Sequence, residues 1–363
     1  MKPDKIVKKQ ILNLPVYETG RPIEYVAREF GLDPDGILKM ASNENPLGPS
    51  PKAVEAVKGH LGTLNYYPDG GCYELRQKLS KKWGLAPSQF AFGNGSNEIL
   101  EFIAQCFVGE GDETVFGAQS FIVYKLATIF MGGVCKSVPM PGLKYDLDAM
   151  RDAVTDRTKV VFMTNPNNPT GCVVPQSEVE NFVRSLPDHV VFCYDEAYTE
   201  YQENPVDLRG LVAEGRNVVC LRTFSKIYGL AGLRIGYSYS SGEIAGYLNR
   251  AREPFNVNSL AQVAALAALD DDDFVRRSRD VNDAGRKQFV EAFERLGLEY
   301  FSDGANFVMV KAEDAPQKFV EMQKRGVIVR PNVGYGLPDW LRITIGKPEQ
   351  NERCIGELAK LAK

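Results

Sequence analysis

KVVFMTNPNNPTG (159–171), VVFCYDEAY (190–198) and NVVCLRTFSK (217–226) are the stretches whose reading decides the fold. Each opens as an unbroken run of β-branched and apolar residues and closes in polar ones. A strand that is apolar on both faces must be covered on both faces, as parallel strands flanked by helices are. The intervening segments carry a helical period, as in SEVENFVRSLP (177–187). TVFGA (114–118) and RIGYSYS (234–240) read as further strands. This βα rhythm predicts an α/β fold built on a mostly parallel sheet with helices on both sides.

Beyond Gly242 the pattern changes. EIAGYLNRAREPF (243–255) reads as a long helix meeting Pro254, a second begins at Ser259, and a third, charged on one face, runs from about Asp273 to Leu296. NFVMVKA (306–312), a helix in QKFVEMQKRG (317–326), and the strand-like GVIVRP (326–331) and LRITIG (341–346) follow. These predict a smaller α+β domain. The expected division is an N-terminal arm with part of the small domain (1–40), a large domain (41–245), and a connecting helix with the small domain (246–363).

Composition narrows the chemistry. Net charge is −4, from 43 basic and 47 acidic residues, and no cluster of Lys or Arg stands out. Nothing is shaped for nucleic acid or for an anionic membrane. No apolar run reaches 18 residues, and Met1–Leu14 lacks the apolar core of a signal peptide, so a cytoplasmic protein is expected. The seven cysteines (72, 106, 135, 172, 193, 220 and 354) are scattered without a C-x-x-C pair and read as reduced, mostly core thiols. Only two histidines occur. His60 falls near the end of a helical stretch and His189 in a turn after Pro187-Asp188. Neither has a second ligand at metal spacing, so no metal is expected, and zinc or Ser-His-Asp chemistry is disfavoured.

The ends of the three apolar runs hold Asn168, Asp195 with Tyr198, and Lys226, each step roughly 30 residues, about one βαβ unit. Ligands of open α/β sheets bind at the carboxyl ends of the strands, so these side chains should converge on one crevice. Together they suit pyridoxal 5′-phosphate. Its aldehyde requires a lysine, which also shuttles a Cα proton. Its pyridine nitrogen requires a carboxylate, and its ring oxygen requires donors such as Asn168 and Tyr198. Burial and a nearby Arg234 would lower the Lys226 pKa and leave it partly neutral. GNGSNEILEFIAQCF (93–107) is a Gly-rich turn opening a helix, an anion site in which Ser96 and Asn97 donate first. Ser225 and Arg234 could complete that cradle, and Phe121 could stack on the ring.

SNENPLGP (42–49), NYYPDG (65–70), GNGSNE, NPNNPTG, YDEAY and RTFSKIYGLAGLRIGY (222–237) together resemble a fold-type I pyridoxal-phosphate aminotransferase. The tail GVIVRPNVGYGLPDWLRITIG (326–346) and NYYPDG narrow the resemblance to the histidinol-phosphate aminotransferase family. It runs from about residue 12 to the C-terminus. It implies that Lys226 is the catalytic lysine bonded to the cofactor, that Asp195 pairs with the ring nitrogen, and that Tyr198 and Asn168 hold the ring oxygen. Ser96, Asn97, Ser225 and Arg234 would bind the phosphate, with Tyr67 arriving from a neighbouring subunit of a homodimer. Arg342, Arg330 and Tyr17 would bind substrate.

The reaction implied is L-histidinol phosphate plus 2-oxoglutarate giving imidazole acetol phosphate plus L-glutamate, by a ping-pong route. An aromatic amino-acid aminotransferase, a threonine-phosphate decarboxylase and a non-catalytic regulatory domain are the alternatives. Asn97 replaces a more usual Asp, Gln119 a common Pro, and Asn332 a frequent Met; the last bears on substrate choice.

Overall fold

The structure, a computed structural model, describes residues 2–12, 14–16 and 20–361. Tyr17 lies outside the described residues. The apolar runs form the centre of a seven-stranded sheet: β1 (Phe90–Gly93), β2 (Glu113–Gly117), β3 (Val134–Val138), β4 (Thr158–Thr164), β5 (Val191–Asp195), β6 (Val218–Thr223) and β7 (Gly236–Tyr239). Their spatial order is β1-β7-β6-β5-β4-β2-β3. Six strands run parallel, and β7 is antiparallel to both its neighbours.

The reason for the continuous apolar runs is visible in how they divide. Val161, Met163, Phe192, Tyr194, Val218 and Cys220 enter one core, while Val160, Phe162, Val191, Cys193, Val219 and Leu221 enter another. Alternate side chains thus face opposite sides, and both sides are covered. Each large side chain so buried contributes about 2–3 kcal/mol.

A buried ion pair interrupts this apolar packing. Glu196, fully buried, accepts from Arg222 Nε (2.6 Å) and from the Tyr239 hydroxyl (3.1 Å), while Arg222 lies over the Trp83 ring at 4.2 Å. This pair ties β5, β6 and β7 together one residue beyond Asp195. Burial lifts the pKa of the neighbouring Glu200 to about 7, with Arg222 opposing.

A second core joins Leu38 and Met40 to Phe289, Val308, Leu341, Ile343 and Cys354. It lies on an antiparallel sheet ordered Arg330–Asn332, Leu337–Thr344, Phe307–Lys311, Tyr300–Phe301. GVIVRP, read as one strand, serves two sheets. Val327–Ile328 pairs in parallel with Leu38–Lys39, and Arg330–Asn332 pairs with the antiparallel sheet. The helix expected over 243–255 stops at Ala251, ahead of Pro254, which disfavours helical backbone at the residue before it. The helix Ser259–Ala268 packs on Pro51–His60, and Ala261, Ala264, Ala265 and Ala268 belong to the first core.

His60 closes its helix, with Nδ1 3.0 Å from Ala56 O, and the exposed His189 precedes β5. Cys72, Cys172, Cys193, Cys220 and Cys354 are buried free thiols. Among the described residues, no three His, Cys, Asp or Glu side chains are grouped to hold a metal, and no helix is long and apolar enough to cross a membrane.

Candidate active site

The carboxyl ends of β4, β5 and β6 lie side by side, with Thr164 opposite Asp195 and Asp195 opposite Leu221. The reversal at β7 adds two more segments to this edge. Because β7 runs the other way, its first residue, Gly236, pairs with both Thr223 and Gly93. Arg234 and the turn before the helix Ser96–Phe107 are thereby brought beside Lys226. The approach is close: a Cβ on Gly236 would lie 2.5 Å from Ser96 N. Gly95 has φ +83°, and a Cβ there would strike the Arg234 guanidinium at 2.4 Å. Both positions require glycine.

Around this edge is a crevice of about 630 Å³, lined by Ser96, Asn97, Phe121, Asn168, Asp195, Tyr198, Ser225, Lys226 and Arg234. Every cofactor residue predicted from sequence is there except Tyr67. Tyr67 is 83% exposed and stacks on Phe255 with ring centres 4.9 Å apart. Apolar side chains of Leu14, Ala104, Leu126 and Phe130 extend the lining.

Burial lowers the Lys226 pKa to about 8, helped by Arg342 and, more weakly, Arg234, against the pull of Glu44 and Asp195. The sequence pointed to Arg234 as the neighbouring charge, and Arg342 outranks it. Lys226 Nζ donates to Ser42 O (3.2 Å) and stands 5.7 Å from the centre of the Tyr198 ring. Asp195 is 3% exposed, and burial raises its pKa to about 6 despite hydrogen bonds to the carboxylate from Ala197 N (3.1 Å) and the Tyr124 hydroxyl (3.2 Å). Near neutral pH it is therefore a buried carboxylate held by neutral donors, a setting that favours a cation beside it.

Tyr198 accepts from Asn43 Nδ2 (2.9 Å) and meets Phe307 edge-on. Burial pushes its pKa to about 12, so it stays a protonated donor. Asn168 belongs to the turn after β4, whose Asn167 side chain donates to Gln119 O and Thr170 Oγ1. Asn165–Pro166 and Asn168–Pro169 are both cis. Asn168 Oδ1 accepts from Arg342, which leaves the Asn168 NH₂ as the end that can donate into the crevice.

Arg342 stands behind Asn168, donates to Ala41 O (2.8 Å) and covers the Phe307 ring. Arg330 is its register partner on the adjacent strand and is half-buried. At the helix start, Asn97 Nδ2 donates to Glu101 Oε1 (3.1 Å), and Ser225 N donates to Thr223 Oγ1 (3.1 Å). Asn332, one of the three unusual residues, is fully buried and donates to Trp340 O (3.1 Å).

Two neighbours of these groups escaped the sequence reading. Tyr124, fully buried and stacked on Phe162 at 4.8 Å, supports Asp195. Asn43 supports Tyr198. Tyr124 follows Phe121 by three residues and could have been read as sharing its helical face; Asn43 carried no signal beyond its motif.

A lysine of lowered pKa, a buried carboxylate and a helix N-terminus meet at the carboxyl edge of the sheet, the arrangement the aminotransferase resemblance implies. The sequence profile described as "Aminotransferase class I and II" matches residues 35–358. A histidinol-phosphate aminotransferase of Akkermansia muciniphila is 45% identical over 359 residues, covering 99% of each chain. Histidinol-phosphate aminotransferase 1 of Cupriavidus pinatubonensis is 47% identical and covers 96% of this chain and 94% of its own. A crystal structure of histidinol-phosphate aminotransferase from Sinorhizobium meliloti, in complex with pyridoxal 5′-phosphate, superposes with a TM-score of 0.89 at 26% identity, covering 98% of this chain and 97% of that one. The chain belongs to the class I and II aminotransferases and, within them, to the histidinol-phosphate aminotransferase family.

Proposed function

We propose that the protein transfers the amino group of L-histidinol phosphate to 2-oxoglutarate, giving imidazole acetol phosphate and L-glutamate in histidine biosynthesis, with pyridoxal 5′-phosphate in the crevice. The observation that carries this reading is Lys226, half-buried with a pKa near 8, in one crevice with the buried Asp195 and the start of the helix Ser96–Phe107. The donor set fits the cofactor: an amine for its aldehyde, a carboxylate for its ring nitrogen, donors for its ring oxygen, and a helix start with an arginine for its phosphate.

When bound, pyridoxal phosphate supplies an aldehyde that takes up amines and a protonated ring that accepts the electrons left at the substrate Cα. Lys226 would hold it and, when free, would move the Cα proton with Nζ, which near pH 8 exists in both protonation states. Asp195 would hold the proton on the ring nitrogen, and Tyr198 and Asn168 would donate to the ring oxygen. Ser96, Asn97, Ser225 and Arg234 would receive the phosphate, and Phe121 would pack against the ring. Arg342, with Arg330 and Tyr17, would take the phosphate of one substrate and the carboxylates of the other. A planar guanidinium that bonds in pairs suits that double duty better than an ammonium.

We further propose a cytoplasmic homodimer in which Tyr67 serves the site of the second copy. Exposed Leu61, Leu64 and Tyr66 beside it, and Phe255 stacked on it, support that surface as the contact. The division into 1–40, 41–245 and 246–363 is likewise proposed. Separate cores favour it, although helix Ser259–Ala268 rests on the first core.

The test is a panel of amino donors offered to the cofactor-loaded protein while its absorbance is followed, with 2-oxoglutarate added second. Histidinol phosphate should discharge the lysine-bound absorbance and 2-oxoglutarate restore it. Discharge by phenylalanine or tyrosine but not by histidinol phosphate would make it an aromatic aminotransferase, and release of CO₂ would make it a decarboxylase.

A further inference from the structure

The stretch Ser42–Asn45 is threaded between Lys226, Tyr198 and the longest strand of the smaller sheet. Ser42 O accepts from Lys226 Nζ (3.2 Å), and Asn45 Nδ2 donates to Ile227 O (2.7 Å). Between them Asn43 is 1% exposed and lies at φ +57°, a conformation asparagine tolerates better than most residues. Its backbone N–H donates to Thr344 Oγ1 (2.9 Å) and its carbonyl accepts from Asn306 Nδ2 (2.9 Å). Its side chain bridges two hydroxyls. Thr344 Oγ1 donates to Oδ1 (3.2 Å), and Nδ2 donates to Tyr198 OH (2.9 Å).

The polarity of this chain of bonds is fixed. The Thr344 oxygen already accepts the Asn43 backbone N–H, so its single proton goes to Asn43 Oδ1. The reverse amide orientation would aim two N–H groups at one oxygen and take away the acceptor that the hydroxyl proton has in Asn43 Oδ1. With Oδ1 engaged, Nδ2 faces Tyr198, whose hydroxyl accepts there. The single Tyr198 proton is then left to be given elsewhere, on the side of the crevice that Tyr198 lines.

We infer that Thr344 and Asn43 are positioning residues that aim the Tyr198 hydroxyl proton into the crevice, at the cofactor's ring oxygen. The inference rests on the proposed cofactor reading. Thr344 stands two residues beyond Arg342 on one strand, hence on the same face. Arg342 reaches Asn168, and Thr344 reaches Tyr198 through Asn43. One strand therefore sets both groups assigned to the ring oxygen.

The test is the pH titration of the visible absorbance of the protein loaded with pyridoxal 5′-phosphate. Thr344→Val keeps the shape and removes the hydroxyl. The Asn43 amide can then turn its oxygen to Tyr198, which donates there instead, and the charged ring oxygen loses a donor. The titration should move up by about one pH unit. Thr344→Ser should restore the wild-type value. In a Tyr198→Phe background, adding Thr344→Val should move nothing further. A melting curve checks folding, and Thr344→Ala is the second variant where Val disturbs it, with the same shift expected.

A titration unmoved in either hydroxyl-free variant overturns the relay, as does an equal shift in the Tyr198→Phe background. If the wild-type protein gains no lysine-bound absorbance on adding pyridoxal phosphate, the cofactor reading itself falls and the relay with it.

Discussion

Asp195→Asn should stabilise the cofactor-free protein and weaken the loaded one. Burial raises the Asp195 pKa from 3.8 to about 6. A carboxyl raised in the folded state contributes stability below its unfolded pKa and loses it as pH rises through the folded one. At 1.36 kcal/mol per unit, its charge costs the apoprotein about 3 kcal/mol by pH 8. Asparagine removes the charge and keeps both contacts, because Ala197 N still donates to its oxygen and the Tyr124 hydroxyl can reverse to accept from its NH₂. Allowing for imperfect fit, a net gain of about 2 kcal/mol should raise the apoprotein melting temperature by about 2–3 °C at pH 8. The gain should shrink with falling pH and nearly vanish by pH 4, where the native carboxyl is already neutral. In the loaded enzyme the ring nitrogen loses its anion, and turnover should drop by about 10²- to 10³-fold. Melting curves of apoprotein at pH 8 and pH 4 decide the matter. An Asn variant that melts no higher than wild type at pH 8, or gains equally at both pH values, would refute the reasoning.

Lys226, neutral above about pH 8, should bind added pyridoxal phosphate at a rate that rises with pH and levels off beyond that value, as stopped-flow absorbance would show. Arg222→Met strands the fully buried Glu196 and should cost about 3–5 kcal/mol in urea unfolding, most of it recovered by adding Glu196→Leu. Gly236→Ala places a methyl 2.5 Å from Ser96 N. It should destabilise the fold by about 1–3 kcal/mol and raise the dissociation constant for the cofactor, measured by equilibrium binding.

The central strands were legible because burial on both faces leaves an unbroken apolar run, and Asn168, Asp195 and Lys226 were legible because strand ends collect ligands. The direction of β7 was not, since hydrophobic pattern is blind to strand polarity; yet that reversal is what seats Arg234 and the Gly93–Gly95 turn beside Lys226. GVIVRP looked like one strand because the apolar run Val327–Val329 continues unbroken up to the point where the second pairing begins. Tyr124, Asn43 and Thr344 stayed hidden because their roles depend on contacts between segments as far as 301 residues apart. The buried Glu196–Arg222 pair was invisible for the same reason: either residue alone reads as surface charge.

The most direct test of the account is borohydride reduction of the pyridoxal phosphate-loaded protein followed by peptide mapping. The cofactor should be fixed to the peptide containing TFSKIYG (223–229), at Lys226, and to no peptide in a Lys226→Arg variant. Labelling of any other lysine in the wild-type protein would contradict it.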